Sequence, residues 1–378
     1  MELWYHGKIS EEELLHSIIK VNLVEIKSYG RQTFHNPANL LVHGDNLIVL
    51  RGLLADPSIS GKIRQIYIDP PFSTQQEFRS GNGRTSTISA SADDYLAYED
   101  RLKGPEYLEY LRQRLIILRE LLSDDGSIYL HIDMKVGHYV KIIMDEVFGP
   151  SNFRNDITRI KCNPKNFSRK GYGNIKDMIL FYSKSKYFVW NEPRQEMTEE
   201  DVLRLFPKID KNDRRYTTNP LHAPGETKNG STGQVWNGLF PPPGRHWRIP
   251  PKELSKLDKL GLIEWSKNGN PRKKIFAEEI LSKGKKMQDV LEFKDPPYPN
   301  YPTEKNLELI KHLLSASSNV GDIVLDCFCG SGTTLIAAEE LNRRWIGIDS
   351  SKVAIDKSIK RLNEMSKVSL FNLYRPKE

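Results

Sequence analysis

An apolar strand, Ile323-Val324-Leu325, runs into Asp326 and then into Cys327-Phe328-Cys329-Gly330-Ser331-Gly332-Thr333-Thr334, after which Leu335 to Leu341 reads as a helix. This is a strand, a glycine turn and a helix. Gly330 and Gly332 can take backbone angles closed to other residues and let a ligand approach the main chain. About 23 residues beyond Asp326, the apolar run Trp345-Ile346-Gly347-Ile348 ends in Asp349. An acidic residue about 20 positions past a glycine turn suits the hydroxyls of a ribose. Alone, such a turn is often only structural.

A second stretch far upstream changes its weight. Ile66-Tyr67-Ile68 is an apolar strand that stops at Asp69-Pro70-Pro71-Phe72. Proline cannot donate to a ladder, so the strand ends at Asp69. Acid and ring are then presented at a strand's C-terminal edge, where open α/β sheets bind ligands. No Gly-Lys-Ser/Thr follows the glycine turn, so it is not a phosphate cradle of the Walker type. A nucleoside cofactor without an essential pyrophosphate fits better, and S-adenosylmethionine is the candidate.

This pair of motifs resembles the amino-methyltransferases of DNA. Asp69-Pro70-Pro71-Phe72 looks like that family's catalytic motif, and Phe328-Cys329-Gly330-Ser331-Gly332-Thr333 like its cofactor motif. The catalytic motif comes first, as in the permuted β group, which includes the Mod subunits of type III restriction systems. The resemblance runs from about Asn39 to Leu362 and implies a doubly wound, mostly parallel, Rossmann-like α/β sheet. It implies a methyl transfer from S-adenosylmethionine, with Asp69 leaning towards adenine N6 rather than cytosine N4. Asp69 and the Pro70 carbonyl would accept from the target amino group, and Phe72 would stack on a base flipped out of double-stranded DNA. Cofactor contacts are expected from Asp45, Thr303, Lys305, Asp326, Phe328, Gly330, Gly332, Thr333 and Asp349. Asp45 also suits a helix cap. Lys305 would meet the cofactor's carboxylate. Where the family often reads His-Pro-Thr-x-Lys-Pro, this chain departs at Tyr301 and Asn306. A homodimer and a separate restriction subunit are further expectations. The alternatives are a cytosine-N4 or RNA enzyme, or a catalytically silent binding subunit. No cysteine follows a proline as in the ring-carbon methylases, which need a covalent thiolate adduct.

Composition agrees with a polyanionic partner. The 378 residues carry 56 Lys and Arg against 49 Asp and Glu, a formal +7 with pI near 9.0. Mean hydropathy is −0.54 and no apolar run reaches membrane-spanning length. Without a secretory signal pattern, a cytoplasmic setting is expected. Cys162, Cys327 and Cys329 form no CxxC pair, so no metal site is expected, and the last two read as small packing residues.

Four segments are expected. Residues 1–38 are an appendage in which Ser10-Glu11-Glu12-Glu13 opens a short helix. Residues 39–184 form the catalytic half, with a polar loop over 73–102 and helices and strands alternating after Tyr107. In that half His131 and Asp133 read as satisfied structural groups. Residues 185–298 mix basic, aromatic and turn-forming residues and read as the target-recognition region, with Arg214, Arg215, Arg245, Trp247, Arg248, Lys267, Arg272 and Lys273 as candidate DNA contacts. Asp289, Glu292 and Lys294 match a loose nuclease pattern that carries little weight. Residues 299–378 form the cofactor half, closing with a helix from Ser351 to Met365 whose inward residues are expected at Val353, Ile355 and Ile359.

Overall fold

The computed structural model describes residues 2–16, 20–31, 38–71, 77–81, 84–86, 95–99, 104–164, 168, 170–296 and 304–377. The chain divides into two compact units, Met1–Pro193 with Gln288–Glu378, and Arg194–Met287. The sequence reading placed the inserted region at 185–298. Residues 185–193 and 288–296 fall in the first unit instead, the latter with Val290–Glu292 as a parallel strand of its sheet.

That sheet has ten strands: β1 Leu23–Tyr29, β2 Asn39–His43, β3 Ile63–Ile68, β4 Leu122–Ile132, β5 Phe153–Ile160, β6 Lys176–Ser183, β7 Val290–Glu292, β8 Ile323–Asp326, β9 Arg344–Asp349 and β10 Phe371–Pro376. Their order across the sheet is β1-β10-β2-β9-β8-β3-β4-β6-β5-β7. Six of the nine pairings are parallel and three antiparallel, so the mostly parallel α/β sheet holds. The helices of this unit are α1 Glu11–His16, α2 Asn46–Leu54, α3 Gly104–Leu121, α4 Met134–Phe148, α5 Leu307–Ser317, α6 Thr333–Glu340 and α7 Lys352–Glu364.

Alternation along β3 explains the layers. Ile66 and Ile68 point into the large apolar cluster built with α2, α3 and α4. Gln65 and Tyr67 point to the other face, where Gln65 Nε2 donates to the Leu313 carbonyl of α5 at 2.8 Å. Helices thus cover both faces, and a strand buried on both sides can be almost wholly apolar.

Several boundaries differ from the sequence reading. α3 starts at Gly104, and β4 starts at Leu122, directly after it. Asp124-Asp125-Gly126 lies within the span of β4, where the pairing with β3 skips from Ile63–Leu122 to Gln65–Ser127, so the turn-forming residues make a bulge in the strand. Part of the expected polar loop forms a small antiparallel sheet of Glu77–Gly81, Arg84–Ser86 and Tyr95–Glu99. The rest of 73–102 lies outside the described residues. In α7 the buried stripe is Ala354, Ile355, Ser358 and Leu362, and Val353 and Ile359 lie at its margins. Small side chains face inward there because Ser358 sits under the glycine turn, as described below.

The second unit has its own order. An antiparallel sheet joins Lys208–Ile209, Arg215–Pro220, Pro271–Phe276 and Ile263–Trp265. A separate core gathers Leu221, Trp236, Trp247, Leu254 and Ile263. Among the described residues, no helix is long and apolar enough to cross a membrane.

Leu115, fully buried in α3, tests the core of the first unit. Leu115→Ala is expected to cost about 2–5 kcal/mol, read as a fall in the urea midpoint at unchanged slope. A cost well below about 1 kcal/mol would place α3 outside the core.

Candidate active site

The site lies where the crossovers diverge. From β8 the chain passes through α6 to β9 on one side, and from β3 through α3 to β4 on the other. β8 and β3 are parallel neighbours, with Leu325 opposite Ile66. Helices leaving in opposite directions open a crevice outside the carboxyl ends of these two strands. Asp69 follows β3 and Asp326 ends β8. The two motifs, about 254 residues apart from Phe72 to Asp326, therefore meet at one edge.

The glycine turn is held by hydrogen bonds on every side. Asp326 Oδ1 accepts from the Phe328 N–H at 2.9 Å, and the Cys329 N–H donates to the Ile348 carbonyl at 3.1 Å. The Gly330 N–H donates to Asp349 Oδ2 at 2.8 Å. Gly330 and Gly332 have φ of +53° and +81°. A Cβ on Gly332 would also meet Ser358 Oγ at 2.8 Å, so both backbone and space require glycine here. Ser358 Oγ donates to the Gly330 carbonyl at 2.8 Å, which is why α7 keeps a small residue inward.

Arg361, one turn further along α7, was not singled out in the sequence. Its guanidinium donates to the Ser331 carbonyl at 2.9 Å and to Thr333 Oγ1 at 3.1 Å, and pairs with Glu304 at 2.8 Å. It joins the glycine turn to the segment that carries Lys305. Thr333, expected at the cofactor, is buried, and its hydroxyl oxygen accepts from Arg361. Cys327 and Cys329 are buried free thiols, as the spacing suggested.

Asp69 has two different oxygens. Oδ2 takes the Lys305 ammonium at 2.6 Å. Oδ1 is buried and has no hydrogen-bond partner among the described residues. A buried acceptor without a donor is costly, so it is a place for an incoming N–H. The carboxylate that Lys305 meets is thus the chain's own. Asn306 caps α5, its Oδ1 accepting from the Leu309 N–H at 3.2 Å. Phe72 and Thr303 lie outside the described residues.

Beside the glycine turn is an open cavity of about 440 Å³ whose walls include Asp45, Leu47, Tyr110 and Arg114. The Phe328 and Tyr110 rings are 6.3 Å apart. Arg114 lies 3.5 Å over the Tyr110 ring, and its Nε donates to Asn46 Oδ1 at 2.6 Å. Asn46 Nδ2 donates in turn to the Cys327 carbonyl at 2.8 Å. Asp45 caps α2, Oδ1 accepting from the N–H groups of Leu47 and Ile48. It stays half exposed, with lone pairs left for a donor. Asn46, Tyr110 and Arg114 carried no sequence signal beyond their places on helices.

His131 is held in a buried network of side chains. Its Nε2 meets Asp177 Oδ2 at 3.2 Å and its Nδ1 meets the Tyr67 hydroxyl at 2.9 Å. Burial lowers its pKa, and His131 with Lys161 holds Asp177 well below the carboxylate range despite burial. Asp133 caps α4. Lys294 pairs with Glu292 at 3.1 Å, and among the described residues no cluster of His, Cys, Asp and Glu could hold a metal ion.

In the second unit the expected DNA contacts separate. Trp247 is corrected to a core residue: it is buried, and its Nε1 donates to the Gln234 carbonyl at 2.9 Å. Its ring is enclosed by the unit's apolar cluster, so no base reaches it. Arg214 is paired with Asp210 at 2.7 Å, and Arg272 donates to Thr218. Arg215 and Lys273 are half-buried, whereas Arg245, Arg248 and Lys267 are exposed. Arg245, Arg248 and Arg272 all lie near His222, whose pKa is lowered first by burial and then by these three charges.

Burial raises Asp326 from 3.8 to about 7, against the bonds from Thr334 and the Phe328 N–H and with help from Asp69 and Asp349. Burial also raises Asp349. Between 3.8 and about 7 the folded chain then binds more protons at Asp326 than the unfolded chain. That contribution is complete below 3.8 and is lost as pH rises through about 7. Asp326→Asn, which keeps an acceptor for Phe328, is expected to remove this decline. Thermal midpoints of both proteins across the window decide it, and parallel curves would refute the assignment.

The chain is similar to known proteins over most of its length. Residues 63–360 match the family model for DNA methylases of the N6 and N4 type. The Type II methyltransferase M.EcaI of Enterobacter cloacae is 39% identical over 363 residues, covering 94% of this chain and 76% of the relative. The type III restriction-modification enzyme EcoP15I Mod subunit of Escherichia coli is 26% identical, covering 86% of this chain but only 60% of that subunit. The DNA adenine methyltransferase YhdJ of Escherichia coli K12 is 23% identical, covering 91% of this chain and 90% of the relative. With strand pairing, motifs and family model in agreement over most of its length, the chain belongs to the DNA methylase family.

Proposed function

We propose that this DNA methyltransferase moves a methyl group from S-adenosylmethionine to the exocyclic N6 of an adenine flipped out of duplex DNA. The observation that carries the reading is Asp69 at the switch point, with one oxygen held and the other buried without a donor. The adenine assignment draws on the Asp at the motif's first position and on the names of relatives such as YhdJ. A restriction-modification setting rests on M.EcaI and the Mod subunits, and a dimer or a separate restriction subunit rests on resemblance alone.

The donor set fits the cofactor. Asp45 offers an acceptor and Tyr110 a ring in the wall of the cavity of about 440 Å³, and the Phe328 ring lies 6.3 Å from that of Tyr110. Asp349 keeps lone pairs for ribose hydroxyls beyond those used by Gly330 and Ser351. S-adenosylmethionine, when bound, supplies an electrophilic methyl group. The chain's residues do the rest. An exocyclic amino group is a poor nucleophile because its lone pair is delocalised into the ring. Asp69 Oδ1 and the Pro70 carbonyl accept its two hydrogens and hold the nitrogen closer to tetrahedral, so its lone pair is free to attack. Lys305 fixes Oδ2 by a charge-assisted bond and so orients Oδ1. Asp69 stabilises the positive charge that develops on nitrogen. The exposed Arg245 and Arg248, beside Arg272, supply positive charge for phosphates.

Labelled methyl transfer to mixed-sequence DNA, followed by digestion to nucleosides, tests the reaction. N6-methyladenine is expected, and Asp69→Ala should lower turnover on the order of 10²–10⁴-fold. N4-methylcytosine would keep the mechanism and overturn the base. Lys305→Ala is expected to lower kcat roughly tenfold or more, with partial recovery in Lys305→Arg. A rise in KM for the cofactor at unchanged kcat would instead assign Lys305 to the cofactor's carboxylate. Arg248→Ala should flatten the dependence of log affinity on log salt by about one unit per lost phosphate contact. An unchanged slope would place DNA elsewhere.

A further inference from the structure

The cavity beside the glycine turn is completed by residues from the far N-terminus. His6 and Gly7 stand in its wall together with Asp45, Tyr110 and Arg114. The appendage carried no chemistry in the sequence reading beyond a helix cap.

Its first residues are tied down on both sides of this turn. The Tyr5 hydroxyl donates to Glu109 Oε2 at 2.8 Å, and the Ile9 N–H to Glu109 Oε1 at 3.3 Å. Arg112 Nη1 donates to the Ile9 carbonyl at 2.8 Å. Lys8 and Arg112 both reach Glu146, at 2.9 Å each. Glu109 and Arg112 are buried on α3. Buried charges are stable only when paired, so these bonds hold the segment to one register. Burial and Glu109 push the Tyr5 phenol well above its ordinary value, so it remains a donor. Between the two anchors, Gly7 has φ +85°, and a Cβ there would meet nothing within 4 Å. The glycine thus serves the backbone turn rather than a packing contact. It leaves His6 and Gly7 exposed at the cavity while Tyr5 and Lys8 are anchored to either side.

We propose that the Tyr5–Ile9 turn is part of the cofactor site, and that the His6 ring forms one wall of its purine subsite. This rests on the assignment of the cavity to the adenine end of S-adenosylmethionine. An aromatic or imidazole face is the chemistry that a purine recognises, and Tyr110 and Asp45 supply a second ring and an acceptor in the same cavity.

Calorimetric titration of the whole protein with S-adenosylhomocysteine tests it, without any need for turnover. Deleting the segment would strip partners from Glu109, Arg112 and Glu146 and destabilise the fold, so point variants at exposed positions are used. His6→Ala is expected to weaken binding roughly three- to tenfold at unchanged Tm, and His6→Phe, which keeps a ring, to restore most of the loss. Asp45→Ala is the control for the cavity itself and is expected to weaken binding too. If Asp45→Ala weakens binding and His6→Ala does not, the turn is only a packing element and the proposal is overturned. If neither variant weakens binding, the adenine lies elsewhere, and the underlying assignment of the cavity fails first.

Discussion

The parallel ladder between Ile323–Asp326 and Ile63–Ile68 is the contact on which the rest of the structure depends. It joins strands from opposite ends of the chain. Their register puts the residues that follow each strand at one edge. The crossovers leave these strands in opposite directions, which is the arrangement that makes a crevice at the carboxyl ends of an open α/β sheet. A slip of one residue would send Ile66 and Ile68 out of the core and Gln65 and Tyr67 into it, so the apolar pattern protects the register.

Three carboxylates, those of Asp69, Asp326 and Asp349, gather at this edge. Gathering acids in a buried place is unfavourable, and the fold offsets it with donors from the glycine turn itself and from elements outside the motifs. Lys305 serves Asp69, the backbone of the glycine turn serves Asp326 and Asp349, and Arg361 ties the two segments together. Each donor is matched to one oxygen, which leaves Asp69 Oδ1 as the acceptor without a partner among the described residues. The Tyr67–His131–Asp177 group, carried by β3, β4 and β6, differs in kind. There every polar atom in the chain of bonds finds a partner within the sheet.

Much was legible because local chemistry is legible. The strand stops at Asp69 because proline follows. The turn at Gly330 to Gly332 needs positive φ, and the structure has it. Asp45 and Asn306 cap helices, as short polar side chains before apolar runs do. The edge strand β1 and its neighbour β10 were not legible. Most of their residues are exposed or half-buried, so neither has the apolar pattern of a buried strand, although β10 pairs with both β1 and β2. Trp247 shows the same limit from the other side. Followed by Arg248 and preceded by Arg245, it reads as a surface ring, yet it packs edge-on against Trp236 in the second unit's apolar cluster, a contact that local sequence does not show.

The sequence alone determined the chemistry: an acid and two prolines after one strand, a glycine turn after another, and an acid at the end of a third. These depend on residue type and spacing along the chain, and no distant partner can alter them. Tertiary structure decided which groups face one another. Lys305 lies on Asp69 across more than two hundred positions, and Arg361 binds the glycine turn and His6 shares a cavity with Asp45 across some tens of positions, because the sheet and α3 bring them together. Such contacts are between side chains whose own sequence surroundings are ordinary, and only packing and the pairing of buried charge select them.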